Sequence, residues 1–65
     1  MMTDKQIKKI ARDDYIDCRQ CGHFPDFICN NGCLSKAELK QWADEYDMSV
    51  SEFNKYMNYF MELCV

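Results

Sequence analysis

The sequence predicts a small, mostly α-helical domain held together by a metal ion, and three observations lead there. Residues 18–33 read CRQCGHFPDFICNNGC, which gathers four of the five cysteines and the single histidine into one short stretch. Apolar residues recur at helical spacing once before this stretch and twice after it. With 65 residues, a chain buries only about 60% of the surface its unfolded form exposes, so a staple beyond the core is expected.

The first helix is predicted over residues 4–13. Thr3 and Gln6 form a capping-box pair ahead of Ile7, Ile10 and Ala11, and Asp4 sits where a helix N-terminus favours a carboxylate. Lys5, Lys8, Lys9 and Arg12 fall on its outer surface. Tyr15 and Ile16 then carry the chain into the cysteines and are expected to lie buried against them.

The second element is a pair of metal-binding loops over residues 18–33. Cys18 and Cys21 are separated by two residues and followed at once by Gly22, a spacing that brings two thiolates to one ion, with a glycine able to take the positive φ that closes such a turn. Cys29 and Cys33 flank Asn30, Asn31 and Gly32, residues that tolerate left-handed turns. Phe24 and Phe27 bracket Pro25 and can roof the site against water. Zn2+ held by Cys18, Cys21, Cys29 and Cys33 is the expected cofactor. A set using His23 with three cysteines, an iron–sulfur cluster, a regulatory thiol–disulfide pair and two structural disulfides draw on the same residues and stay open at this point. With two residues between them, Cys18 and Cys21 resemble the first pair of zinc-knuckle and treble-clef sites, and the second pair ends beside a helix start as those sites do. The resemblance covers residues 18–38 and implies a closed, structural zinc.

The remaining helices are predicted over 35–46 and 51–63. Ser35 and Glu38 make a second capping box, and Leu39, Trp42, Ala43 and Tyr46 share one face. Asp47 and Met48 interrupt the pattern, and Ser49 or Ser51 caps the last helix, whose apolar positions include Phe53, Tyr56, Met57, Phe60 and Leu63. Residues 24–29 could form a hairpin strand with residues 15–18, but both segments are too short for the pattern to decide it.

The stretch LKQWADEYDMSVSEFNKY, residues 39–56, resembles the helix-turn-helix segment of DNA-binding regulators. Ala43 matches the small residue that lets the helices approach, Met48 the apolar plug after the turn, Ser49 the opening of the recognition helix, and Phe53 and Tyr56 its inward positions. Asp47 stands where that family usually has glycine. The resemblance implies that Ser49, Ser51, Asn54, Lys55 and Asn58 face the DNA major groove.

Charge argues for a different partner. The net charge is −3, and residues 34–65 hold three lysines against six acids, a balance that repels phosphate. Glu52, with Asp44, Glu45 and Asp47 nearby, would sit on or beside the proposed reading helix. Tyr59, Phe60, Met61 and Leu63 supply more apolar surface than a core of this size is expected to absorb, and such residues are enriched where proteins meet. The expected function is therefore a regulatory or adaptor protein whose acidic, aromatic-rich C-terminal helices bind a protein partner, including one that is basic or itself binds nucleic acid. DNA binding is the alternative, and self-association into a homodimer through the last helix uses the same surface. No acid–base pair stands at a telling spacing, so an enzyme is not expected. No apolar run reaches the roughly 18 residues of a membrane span, and none follows a basic N-terminus as in a signal peptide. Clustered thiols then fit a reducing cytoplasmic setting.

Overall fold

Three capping boxes start the three long helices of the fold. In the computed structural model, which describes residues 2–29 and 34–64 and only the backbone of Cys29, α1 spans Asp4–Cys21, α2 Asp26–Cys29, α3 Lys36–Glu45 and α4 Val50–Leu63. Thr3, Ser35 and Ser49 each accept the N–H of the residue three positions on, and the side chains of Gln6, Glu38 and Glu52 reach back to the cap N–H. Two of the four orphan donors at each N-terminus are thereby satisfied or covered. Among the described residues there is no strand, so the strand considered for residues 24–29 is replaced by the short helix α2.

The first helix runs well past the 4–13 expected. No glycine or proline falls between Lys5 and Cys21, and Ile7, Ala11, Asp14 and Cys18 keep an inward face alive at i, i+4, i+7 and i+11. Gly22 stops the helix: it takes the left-handed conformation at φ 71°, and its N–H and that of His23 both donate to the Cys18 carbonyl. Residues 18–21 are thus the last turn of a helix. In a zinc knuckle the amides after the first cysteine point at sulfur; here they are spent in the helical ladder.

The core is aromatic. Phe27, Phe53, Tyr56 and Phe60 are fully buried together with Ile7, Ala11 and Ala43. Phe27 meets Trp42 and Phe53 edge-on with ring centroids 5.0 and 5.2 Å apart, and Tyr15 and Phe24 do the same to Phe60 at 5.9 and 6.1 Å, the arrangement favoured by the ring quadrupoles. Tyr15 is half-buried, whereas Ile16 is 41% exposed and turns outward, contrary to the expectation that both would be covered.

α4 is the element the others pack on: α1, α3 and α2 each lie against it, α1 most extensively. The contacts between α1 and α4 advance together along both helices, from Met2 with Glu52 to Asp4 with Lys55 to Lys8 with Tyr59. These pairs therefore run in the same direction on the two helices. Ala43 presents only a methyl group where α3 approaches α4. Between them Asp47 adopts φ 58°, and the N–H of Met48 donates to the Ala43 carbonyl at 2.9 Å. No helix among the described residues is long and apolar enough to cross a membrane.

Candidate functional site

The cysteine end of the molecule is built by helix termini. Cys18 is half-buried and Cys21 exposed, one turn apart on α1. Cys33 and the side chain of Cys29 lie outside the described residues, so the expected four-thiol set is present only by its first pair. Among the described residues, no three side chains of His, Cys, Asp or Glu already stand together as a metal site. His23 follows Gly22 and is exposed. Cys64, at the cap of α4, lines a hollow of about 290 Å³ with Tyr15, Phe24 and Ile28. Burial pushes the Cys18 thiol above its ordinary pKa, and the negative charges of Asp14, Cys21, Asp17 and Cys64 push it further. Burial also raises Cys64. Sequence reasoning passed over Cys64 because its spacing from the others carries no signal.

The surface between α1 and α4 is a groove of about 360 Å³ lined by Lys8, Arg12, Tyr59, Glu62 and Leu63. The Lys8 ammonium sits 5.1 Å from the centre of the Tyr59 ring, a cation–π contact that holds the tyrosine across the groove. Of the four residues proposed for a protein partner, Leu63 is 39% exposed, and Tyr59 and Met61 are half-buried. Phe60 is fully buried between Tyr15, Phe24 and Tyr56. It anchors α1 to α4 and belongs to the core, not to a partner surface.

Elsewhere on α4 and its cap, Ser49, Ser51, Asn54, Lys55 and Asn58 are all exposed. Ser51, Asn54, Lys55, Asn58 and Glu62 recur at helical spacing and make one polar stripe. Two groups on this side of α4 are already engaged. Lys55 Nζ lies 2.9 Å from Asp4 Oδ1, and that carboxylate raises the lysine pKa. Glu52 accepts the Ser49 N–H at 2.8 Å and the Met2 N–H at 2.6 Å, which lowers its pKa. Ser49 is committed to its cap.

Beneath the surface, the Tyr56 hydroxyl donates to Asp14 Oδ2, and the Tyr46 ring lies 5.2 Å from the Tyr56 ring, centroid to centroid. Burial, then the bond to Asp14, moves Tyr56 far above the ordinary tyrosine value, and burial raises Tyr46 as well. The sequence carries a signal for the place of Asp14 but none for its partner. Asp14 falls on the inward face of α1 once the helix is carried past Asp13.

Comparison with protein-family models, with curated proteins and with solved structures finds no match to this chain.

Proposed function

We propose that this chain is a small zinc-stabilised adaptor or regulatory protein that binds a protein partner and performs no catalysis of its own. The observation that carries the reading is the α1–α4 groove, whose wall is Tyr59 and Leu63 and whose rim mixes Lys8 and Arg12 with Glu62. An aromatic and an aliphatic side chain framed by both signs of charge suit a protein surface, which offers apolar anchors and paired charges together. The acids of α3 and the turn after it, Glu38, Asp44, Glu45 and Asp47, are exposed and favour a basic partner, one that binds nucleic acid included. Zinc is proposed from the cysteine spacing, and a cytoplasmic location from the reduced thiols that zinc requires.

A second reading, a helix-turn-helix DNA-binding regulator, is favoured by one observation. Asp47 takes the left-handed conformation at the position that pattern gives to glycine, which presents Ser51, Asn54 and Asn58 outward from α4. Against it, the one lysine of the proposed reading surface, Lys55, is paired with Asp4. A stripe left with neutral groups and flanked by acids gains little from a phosphate backbone.

Capture of bound molecules from the source cells under nuclease treatment, with two variants, separates the readings. The protein reading expects a nuclease-resistant partner that is lost in Tyr59→Ser/Leu63→Ser and kept in Ser51→Ala/Asn54→Ala. Association that vanishes with nuclease and with the second variant overturns it in favour of DNA.

A further inference from the structure

We infer that the α1–α4 groove takes an acidic amphipathic helix of the partner protein, with its apolar residues against Tyr59 and Leu63 and its carboxylates on Lys8, Arg12 and the cations that continue their row along α1. The inference rests on the protein-binding reading above and adds to it the charge and shape of what binds.

The row follows from the helical period. Because α1 stays helical through Cys21, Lys5, Lys8, Arg12, Ile16 and Arg19, which succeed one another at steps of three and four residues, fall on one side of it. At a rise of about 1.5 Å per residue the row is about 21 Å long. Its cations are exposed, and so is Ile16, at 41%. By the same period Asp13 and Asp17 fall outside it. None of these cations is ion-paired with a described residue; the ion pair of that set joins Lys55 to Asp4. The Tyr59 ring that Lys8 meets carries no formal charge and leaves the ammonium donors for a carboxylate.

The shape suits a helix. One wall of the groove is Tyr59 and Leu63, one turn apart on α4, and the other is Lys8 and Arg12, one turn apart on α1. A partner helix with an apolar stripe beside an acidic one repeats that spacing and meets both walls at once. Charge selects its sign. Two cations and one carboxylate, Glu62, line the groove, and the acids of α3 stand elsewhere, since α3 packs on α4 without contact with α1. A partner that is basic toward α3 thus meets α1 with the opposite sign. Nucleic acid would set its phosphates beside Glu62 and has no apolar stripe for Tyr59 and Leu63. A second copy would offer the acids of α3, but Leu39, Trp42, Ala43 and Tyr46 of that helix already pack on its own core.

The test selects binders of the full chain from a displayed library of random helical peptides at low salt. Selected peptides should carry Asp or Glu beside apolar residues at helical spacing. Their affinity should fall about tenfold or more in Arg12→Glu and likewise in Tyr59→Ser/Leu63→Ser. Arg12 is exposed, so Arg12→Glu is expected to fold, with Lys5→Glu as a second variant further along the row. Peptides remade with Lys in place of Glu should bind Arg12→Glu better than they bind the wild type. Selected peptides that are basic or neutral, yet lost in Tyr59→Ser/Leu63→Ser, overturn this inference and leave the protein reading standing. Failure to select any peptide that Tyr59→Ser/Leu63→Ser weakens overturns both. Two other occupants are checked alongside: a DNA duplex bound by the wild type and released by Arg12→Glu, or a dimer in sedimentation that Arg12→Glu dissolves, overturns the inference in favour of nucleic acid or a second copy.

Discussion

The hydroxyl of Tyr56 lies 2.6 Å from Oδ2 of Asp14, so a ring buried at the centre of α4 is bonded to a half-buried carboxylate on the inward face of α1. A buried hydroxyl without a partner is costly, and this bond both removes that cost and fixes how α1 sits on α4. Tyr56→Phe is expected to lower stability by about 1–2 kcal/mol, the range for a hydrogen bond to a charged group that water can partly replace. Urea unfolding of Tyr56→Phe, Asp14→Asn and the double variant should show non-additive losses. Strictly additive losses would mean that the two groups do not act as a pair.

Alkaline pH tests the same contact from another direction. Tyr56 and Tyr46 both have folded-state pKa values above their ordinary value of 10.0. Their protonated forms are favoured by folding, so this stability is fully present below about pH 10 and is lost as pH rises beyond it. Lys55, raised by Asp4, contributes in the same direction. The urea midpoint should hold level up to about pH 9, above which the raised Cys18 and Cys64 thiols begin to contribute, and fall further beyond about pH 10, with a shallower fall there in Tyr56→Phe. A midpoint indifferent to pH in this range would contradict the assignment.

Asp47 holds φ 58° without being glycine. Left-handed backbone costs most side chains about 1–2 kcal/mol and glycine almost nothing. Asp47→Gly should therefore raise the thermal midpoint, and Asp47→Val should lower stability by about 1–2 kcal/mol or more, because a β-branched residue crowds that conformation most. The reverse order by differential scanning calorimetry would show that the turn relaxes.

The caps are expected to differ in weight. Ser35→Ala and Ser49→Ala each remove a side-chain acceptor from a helix N-terminus, a loss of about 1 kcal/mol. Ser49→Ala should cost more, because the Glu52 that it helps to place also binds the Met2 N–H and so joins α4 to the start of α1. Equal losses in urea would show that the Met2 contact contributes nothing.

Zinc removal is the largest expected perturbation. Native mass measurement should find about one zinc per chain, and chelation should collapse the helical circular-dichroism signal, since structural zinc contributes about 10 kcal/mol or more in small domains. Helicity retained in full with chelator would separate the fold from the metal.

Legibility in the sequence followed how local each determinant is. α3 and α4 lie within about one residue of their expected limits because Ser35 and the Ser49–Glu52 pair mark their starts and an apolar face marks their length. The expected end of α1 at Asp13 follows from having Tyr15 and Ile16 turn the chain into the cysteines, while the real stop is the left-handed Gly22. α2 is too short for any period to announce it. The groove and the Tyr56–Asp14 bond join residues more than 40 positions apart, and nothing local encodes such a meeting. Phe60 shares the helical face of Phe53 and Tyr56, so its burial follows from spacing; placing it on a partner surface with Tyr59 and Met61 rested on the expected size of the core, which the docking of α1 enlarges.

That docking has a kinetic side. α1 lies against α4, with the whole of α2 and α3 between them in the chain. α3 and α4 are joined by a tight turn and can pair at little entropic cost, whereas bringing α1 home closes a loop of several tens of residues. Synthesis delivers α1 first, yet its inward face has nothing to bury against until α4 has emerged. Folding should then be governed by the late arrival of the earliest helix, with Ile7 and Ala11 registering little in the transition state and Phe53 and Ala43 registering strongly.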